Sequence, residues 1–116
     1  MYEYDVTIGR NVGSEPMPRP RWDAFSASVV ETLTWAGSRR GEVEPTVEIR
    51  HGITFWQGQS EESHRITLRV NEELYPETLA QVRAELAECA QAYQQEAIAL
   101  AVASSELIYP LAPATL

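Results

Sequence analysis

The sequence predicts an α+β domain in which a four-stranded antiparallel sheet carries two helices on one face. Three observations point there. Apolar residues recur at every second position over 2–8, 47–55, 66–70 and 98–102, the period of half-buried strands. Between the first and second of these runs, and again between the third and fourth, they recur at steps of three and four, the period of a helix face. Only a short polar segment separates the second run from the third, which leaves room for a turn but not for a crossover.

The elements follow in order. "YEYDVTIG" sets Tyr2, Tyr4, Val6 and Ile8 on one face and Glu3, Asp5 and Thr7 on the other. "RNVGSEPMPRP" reads as a loop, broken by Gly13, Pro16, Pro18 and Pro20. From Pro20, a residue suited to a first helical turn, Trp22, Phe25, Val29 and Leu33 line one side of a helix that Gly37 stops. After the loop "GSRRGEVEP", Val47, Ile49, His51, Ile53 and Phe55 form one arm of a hairpin, and Ile66, Leu68 and Val70 the other. A turn centred on Ser60–Glu61 matches Phe55 with Ile66, Ile53 with Leu68 and His51 with Val70, so apolar meets apolar at nearly every rung.

A second helix starts at Pro76, with Leu79, Val82, Leu86, Cys89 and Tyr93 inward and Gln81, Arg83, Glu85 and Glu88 outward. The last strand alternates Ile98, Leu100 and Val102 against Ala97, Ala99, Ala101 and Ala103, and "SSELIYPL" extends or partners it as an extra C-terminal strand. With right-handed crossovers this order gives the ferredoxin-like βαββαβ sandwich. A different α+β sheet with the same element order is the rival. Residues 1–110 are expected to form one domain and residues 111–116 a flexible tail.

Several function classes fall away on composition. The chain has 116 residues, 44% of them hydrophobic, and a formal charge of −8. Phosphate contact needs a basic face, so direct nucleic-acid binding is not expected. All nine basic residues are arginine, a bias that GC-rich coding produces without functional pressure. Cys89 is alone, which rules out an intrachain disulfide and a cysteine-based zinc site. The N-terminus is acidic where a signal peptide is basic, and no apolar run reaches spanning length, so the expected compartment is the cytoplasm.

Catalytic constellations are also missing. "FWQGQSEESHRITL" crowds serines, acids and a histidine together, yet neighbouring turn residues diverge and the segment reads as a hairpin tip. Ser63 and His64 are adjacent and point to opposite faces of a strand. In the register above His51 lies about 20 Å from His64, too far to share a metal. Burial and the neighbours Glu85 and Glu88 make Cys89 a poor nucleophile. The glycines are scattered, with no phosphate-cradling loop and no dinucleotide fingerprint, so neither cofactor nor metal is expected.

Two sets of residues remain as candidates. On the sheet face turned away from the helices, Trp56 opposite Arg65, with Arg69 nearby, forms an aromatic–arginine patch. Acids of the first strand, Glu3 and Asp5, fall beside the strand carrying Arg65 and Arg69, as a ladder of ion pairs. The second set, His51, Tyr4, Trp22 and Tyr93, would line a pocket between sheet and helices. The alanine column of the last strand suits a closely approaching layer, which points to a homo-oligomer joined through the sheet face or through C-terminal strands.

"TIGRNVG…MPRPRWDAF", the Trp56-Gln57-Gly58 turn and "QQEAIAL" resemble a pattern in small proteins of actinobacteria and actinophages. There a strand ending in Gly-Arg, here Gly9-Arg10, precedes a helix with a Trp-x-x-Phe step, here Trp22 and Phe25, and the last strand follows Gln-Glu, here Gln95-Glu96. The resemblance implies a ferredoxin-like domain from a phage or a GC-rich actinobacterium and carries no catalytic residues with it. In topology alone the chain resembles the dimeric α/β barrel enzymes that degrade small aromatic or polyketide molecules.

The expected role is a non-catalytic cytoplasmic binding or interaction protein acting as a homo-oligomer, with a host protein as a further partner. A small-molecule enzyme or sensor of the dimeric α/β barrel type is the alternative. An acidic inhibitor of a nucleic-acid enzyme ranks last, because the carboxylates are spread over both helices and several loops.

Overall fold

The structure is a computed structural model that describes residues 1–106, 108 and 110, and the backbone of Trp56. Strand β1 (Tyr2–Gly9) leads into a small hairpin of β2 (Asn11–Val12) and β3 (Glu15–Pro16), followed by helix α1 (Arg19–Arg39). The long hairpin β4 (Thr46–Trp56) and β5 (Gln59–Val70) comes next, then helix α2 (Pro76–Ala92) and strand β6 (Ala99–Ser104). The main sheet runs β4-β5-β1-β6 with every neighbour antiparallel, the ferredoxin-like order expected. The loop expected over 10–20 contains the β2–β3 hairpin instead, with Gly13 in the left-handed conformation at its turn.

The core sits where strand and helix faces meet. Tyr4, Val6 and Ile8 of β1, and Ile66, Leu68 and Val70 of β5, are sealed under Trp22, Phe25, Val29, Leu33 and Ala36 of α1 and Val82 and Leu86 of α2. Burying one such aliphatic or phenyl side chain contributes about 1.5–3 kcal/mol. Gly37 is part of α1 rather than its stop. A Cβ there would lie 2.7 Å from Pro45 Cβ and 3.0 Å from Leu68 Cδ1, so the glycine lets the helix lie close to the sheet.

The β4–β5 hairpin differs from expectation in its register. Gln57 and Gly58, at φ 49° and 77°, form a two-residue turn, and Trp56 pairs with Gln59. Phe55 therefore meets Ser60, Ile53 meets Glu62 and His51 meets His64. The shift is an even number of residues, so inward side chains stay inward. The hairpin now overhangs the core: Ile53 is 67% and Phe55 81% exposed.

β6 starts at Ala99 rather than Ala97 and ends at Ser104, where Ser105 N–H donates to Met1 O. The proposed tail at 111–116, and part of "SSELIYPL", lie outside the described residues. No helix among the described residues is long and apolar enough to cross a membrane.

Candidate functional site

The open face of the sheet carries the expected ion pairs but not the expected patch. Arg69 donates to Glu3 at 3.0 Å and to Glu48 at 2.5 Å, while Thr67 Oγ1 donates to Asp5. The Arg69 hydrogen bond holds the Glu48 carboxyl below its ordinary range, and Glu3 and Glu48 push the guanidinium up. Arg65 lies between Arg50 and Thr7. Trp56 pairs with Gln59, six strand residues from Arg65 or about 20 Å. The predicted Trp56–Arg65 pair is therefore absent, because the turn closes at Gln57–Gly58. The alanine column at Ala99, Ala101 and Ala103 is exposed beside Thr7, Asp5 and Glu3.

The four residues proposed to line an interior pocket are mostly packing. Tyr4 is 1% exposed, and its hydroxyl accepts the Leu74 N–H at 2.8 Å. Burial raises its pKa, partly offset by that bond. Trp22 is sealed against Phe25 and His64, and Tyr93 stacks on Phe25 at 4.6 Å. His51 touches His64 edge to face at 4.3 Å, which corrects the separation inferred from the slipped register. None of the four lines either cleft described below.

A contact that the sequence reading missed joins α1 to the hairpin. Ser26 Oγ and His64 Nδ1 are 2.9 Å apart, and both residues are 5% exposed. Burial first, then His51 and Arg19, lower the His64 pKa against opposing effects of Glu62 and Asp23. The pair has the atoms of a serine–histidine dyad, but substrate cannot reach it, so its work is structural. No group of three or more His, Cys, Asp or Glu that could hold a metal lies among the described residues. Cys89 is half-buried, and its thiol is pushed up by burial and then by Glu85 and Glu88.

The chemically suggestive site is a cleft of about 540 Å³ between the hairpin tip, the end of β1 and the segment leading into β6. Local geometry builds each wall. α2 ends in a double hydrogen-bonded cap: Gln94 N–H donates to Gln91 O, Gln95 N–H donates to Ala90 O, and Gln94 takes φ 55°. That cap delivers Gln95, whose Nε2 donates to Asn11 O at 3.1 Å and Tyr93 O at 3.3 Å. Glu61 reaches over Gly9 to accept the Asn11 N–H at 2.8 Å. A Cβ on Gly9 would lie 2.3 Å from Glu61 Oε1, so a side chain there would make this carboxylate swing aside. Arg10 braces the wall from behind through Met17 O and Glu62.

The lining combines apolar walls, from Ile8, Ile98, Ala97 and Ala99, with polar groups. Gln57, Gln59, Gln94 and Gln95 supply amides, Glu61 and Glu96 carboxylates, and Phe55 an aromatic surface. No arginine or histidine is among the lining residues. Such a site favours a polar ligand that is uncharged or cationic and repels phosphate. A second cleft, about 690 Å³, lies near Tyr75 and Leu79. Its Arg40 is already engaged by Glu72, Glu73 O and the Tyr75 hydroxyl.

No protein-family model matches the chain, and no curated protein matches it. Among solved structures, it is similar to a phage SAM lyase in complex with S-methyl-5′-thioadenosine, with 20% identity and a TM-score of 0.55 over 88% of this chain and 79% of that one. A phage SAM lyase in the apo state gives 18% identity and a TM-score of 0.51 over 93% and 92% of the two chains. At these identities the likeness establishes a shared fold.

Proposed function

We propose that the chain binds a sulfonium nucleoside of the S-adenosylmethionine type in the cleft between the hairpin tip and β6, and acts on it by breaking a carbon–sulfur bond. The observation that carries this reading is the lining: two carboxylates, several amides and an aromatic ring, with no basic group, in a space of about 540 Å³. Ligand sites of roughly 300–1,000 Å³ hold a molecule of this size. Amides suit the hydrogen-bonding edge of a base and ribose hydroxyls, Phe55 offers a stacking surface, and Glu61 and Glu96 favour a cation. Breaking the bond leaves the electron pair on sulfur and turns the sulfonium into a neutral thioether. The carbon released is taken by the carboxylate of the same amino-acid side chain, which closes into a lactone, so that no co-reactant is consumed. The two phage SAM lyases of the same fold, one holding such a thioether, support the assignment. They also support the phage origin and, with it, a cytoplasmic site of action.

Calorimetry tests the reading with S-adenosylmethionine, S-methyl-5′-thioadenosine and ATP. The first two bind and ATP does not. Glu61→Gln weakens the sulfonium more than the thioether, and NMR follows conversion of one into the other. Absence of binding by both nucleosides defeats the proposal.

A second reading, a non-catalytic binding protein, is supported by the exposed alanine column beside the open sheet face. Ala101→Glu tests it, by abolishing capture of a partner while nucleoside binding is unchanged.

A further inference from the structure

β4 is one of the two edge strands of the sheet, and its far edge pairs with nothing among the described residues. The pair flanking a two-residue hairpin turn exchanges both hydrogen bonds, so Trp56, Thr54, Gly52, Arg50, Glu48 and Thr46 bond towards β5. Arg10 N–H donating to Glu62 O agrees with this phase, because it places the even-numbered residues of β5 towards β1. The backbone groups of Val47, Ile49, His51, Ile53 and Phe55 therefore point outward. Proteins usually guard such an edge with lysine, proline or a bulge. Residues 46–56 contain no proline, their charged side chains Glu48 and Arg50 are of opposite sign, and their pairing with β5 runs without interruption. Ile49, Ile53 and Phe55 add apolar surface, at 43%, 67% and 81% exposure.

We infer that this edge pairs antiparallel with the same edge of a second copy, with Ile49 on the two-fold axis, and that the two sheets join into one. The charges select both partner and register. With Ile49 on the axis, Glu48 lies opposite the second copy's Arg50, and Arg50 opposite its Glu48, at the non-hydrogen-bonded positions where side chains approach most closely. Slipping one way sets Arg50 against Arg50; slipping the other sets Glu48 against Glu48. Moving the axis to His51 leaves Glu48 facing Thr54 and Arg50 facing Gly52. Each then keeps only its pairing within its own subunit, Glu48 with Arg69 and Arg50, and neither is matched across the interface. Beyond the paired region, Ile53 and Phe55 run towards the second copy's 41–45 loop, where Val43 is 95% exposed. This surface is the β4 edge rather than the alanine face expected from sequence, and it does not depend on the nucleoside reading.

Cysteine cross-linking with sedimentation tests the inference. In the axial arrangement the two Ile49 Cα atoms sit about 5.5 Å apart, within disulfide range. Under mild oxidation Ile49→Cys becomes a covalent dimer, whereas His51→Cys and wild type, which carries Cys89, do not. Arg50→Glu, which places like charges opposite each other, shifts the sedimenting species from dimer towards monomer by at least tenfold in dissociation constant, with an unchanged circular dichroism spectrum. A wild-type monomer at high micromolar concentration overturns the inference. So does an oligomer in which Ile49→Cys fails to cross-link, or in which His51→Cys does so instead.

Discussion

Ser26 of α1 and His64 of β5 meet across the helix–sheet interface, Oγ to Nδ1 at 2.9 Å, in a space sealed from solvent. Trp22 lies against one side of the imidazole at 4.4 Å, and the His51 ring meets it at 4.3 Å. The contact ties the first half of α1 to the base of the overhanging hairpin. Ile8, a cleft-lining residue, pairs with His64 across the sheet, so this anchor also supports one wall of the proposed site.

Acid should loosen that anchor. The His64 pKa is lowered in the folded state, chiefly by burial, so the unfolded chain binds the proton more readily. The stability this contributes is fully present above the unfolded histidine pKa, about 6.5, and is lost as pH falls through the folded value. Melting temperature should therefore drop as the pH falls below about 6.5. Replacing His64 with glutamine should flatten that slope. An equal slope in the variant would assign the effect to other groups.

Ser26→Ala should destabilise the fold by about 1–3 kcal/mol, because it leaves the imidazole nitrogen buried without its partner. Denaturant unfolding measures this. Ser28→Ala is the control: Ser28 is half-buried and its hydroxyl bonds only back to Ala24 O within its own helix, so its loss should matter far less.

Gly37→Ala should cost about 1–3 kcal/mol through overpacking against Pro45 and Leu68. Gly52→Ala should be tolerated, since the added methyl would meet only Ser63 Oγ, at 3.6 Å. Thermal melts of the two variants side by side separate close packing from a general intolerance of substituted glycines.

Two glutamines hold the left-handed conformation usually left to glycine or asparagine, Gln57 at φ 49° and Gln94 at φ 55°. Gln57→Asn and Gln94→Gly should each raise stability by a few tenths of a kcal/mol to about 1 kcal/mol. Gln94→Val should lower it and also weaken ligand binding, because the cap that places Gln95 is lost.

The periods of two and of three to four were enough to place every main strand and helix, and the inward residues Val6, Phe25, Val29 and Leu68 are all sealed. The hairpin register was not legible by the same logic. Matching apolar to apolar assumes that both strands end at the core, but β4 continues past it, and Ile53 and Phe55 pair with Glu62 and Ser60 in solvent. The Gln57–Gly58 step was the available signal, hidden by the more polar "SEESH" beside it. The cleft was invisible for a different reason. Its walls come from residues near 9, 57 and 95, and its chemistry rests on amides and one carboxylate oriented by backbone bonds, which no local motif records.

The most direct measurement of the central claim is a backbone amide NMR titration with S-methyl-5′-thioadenosine. The account predicts saturable shifts concentrated at Gly9, Asn11, Gln57–Glu61 and Gln94–Ala99, lost in Glu61→Ala while the remainder of the spectrum is preserved. Shifts confined to the cleft near Tyr75, or an unperturbed spectrum at millimolar ligand, would contradict it.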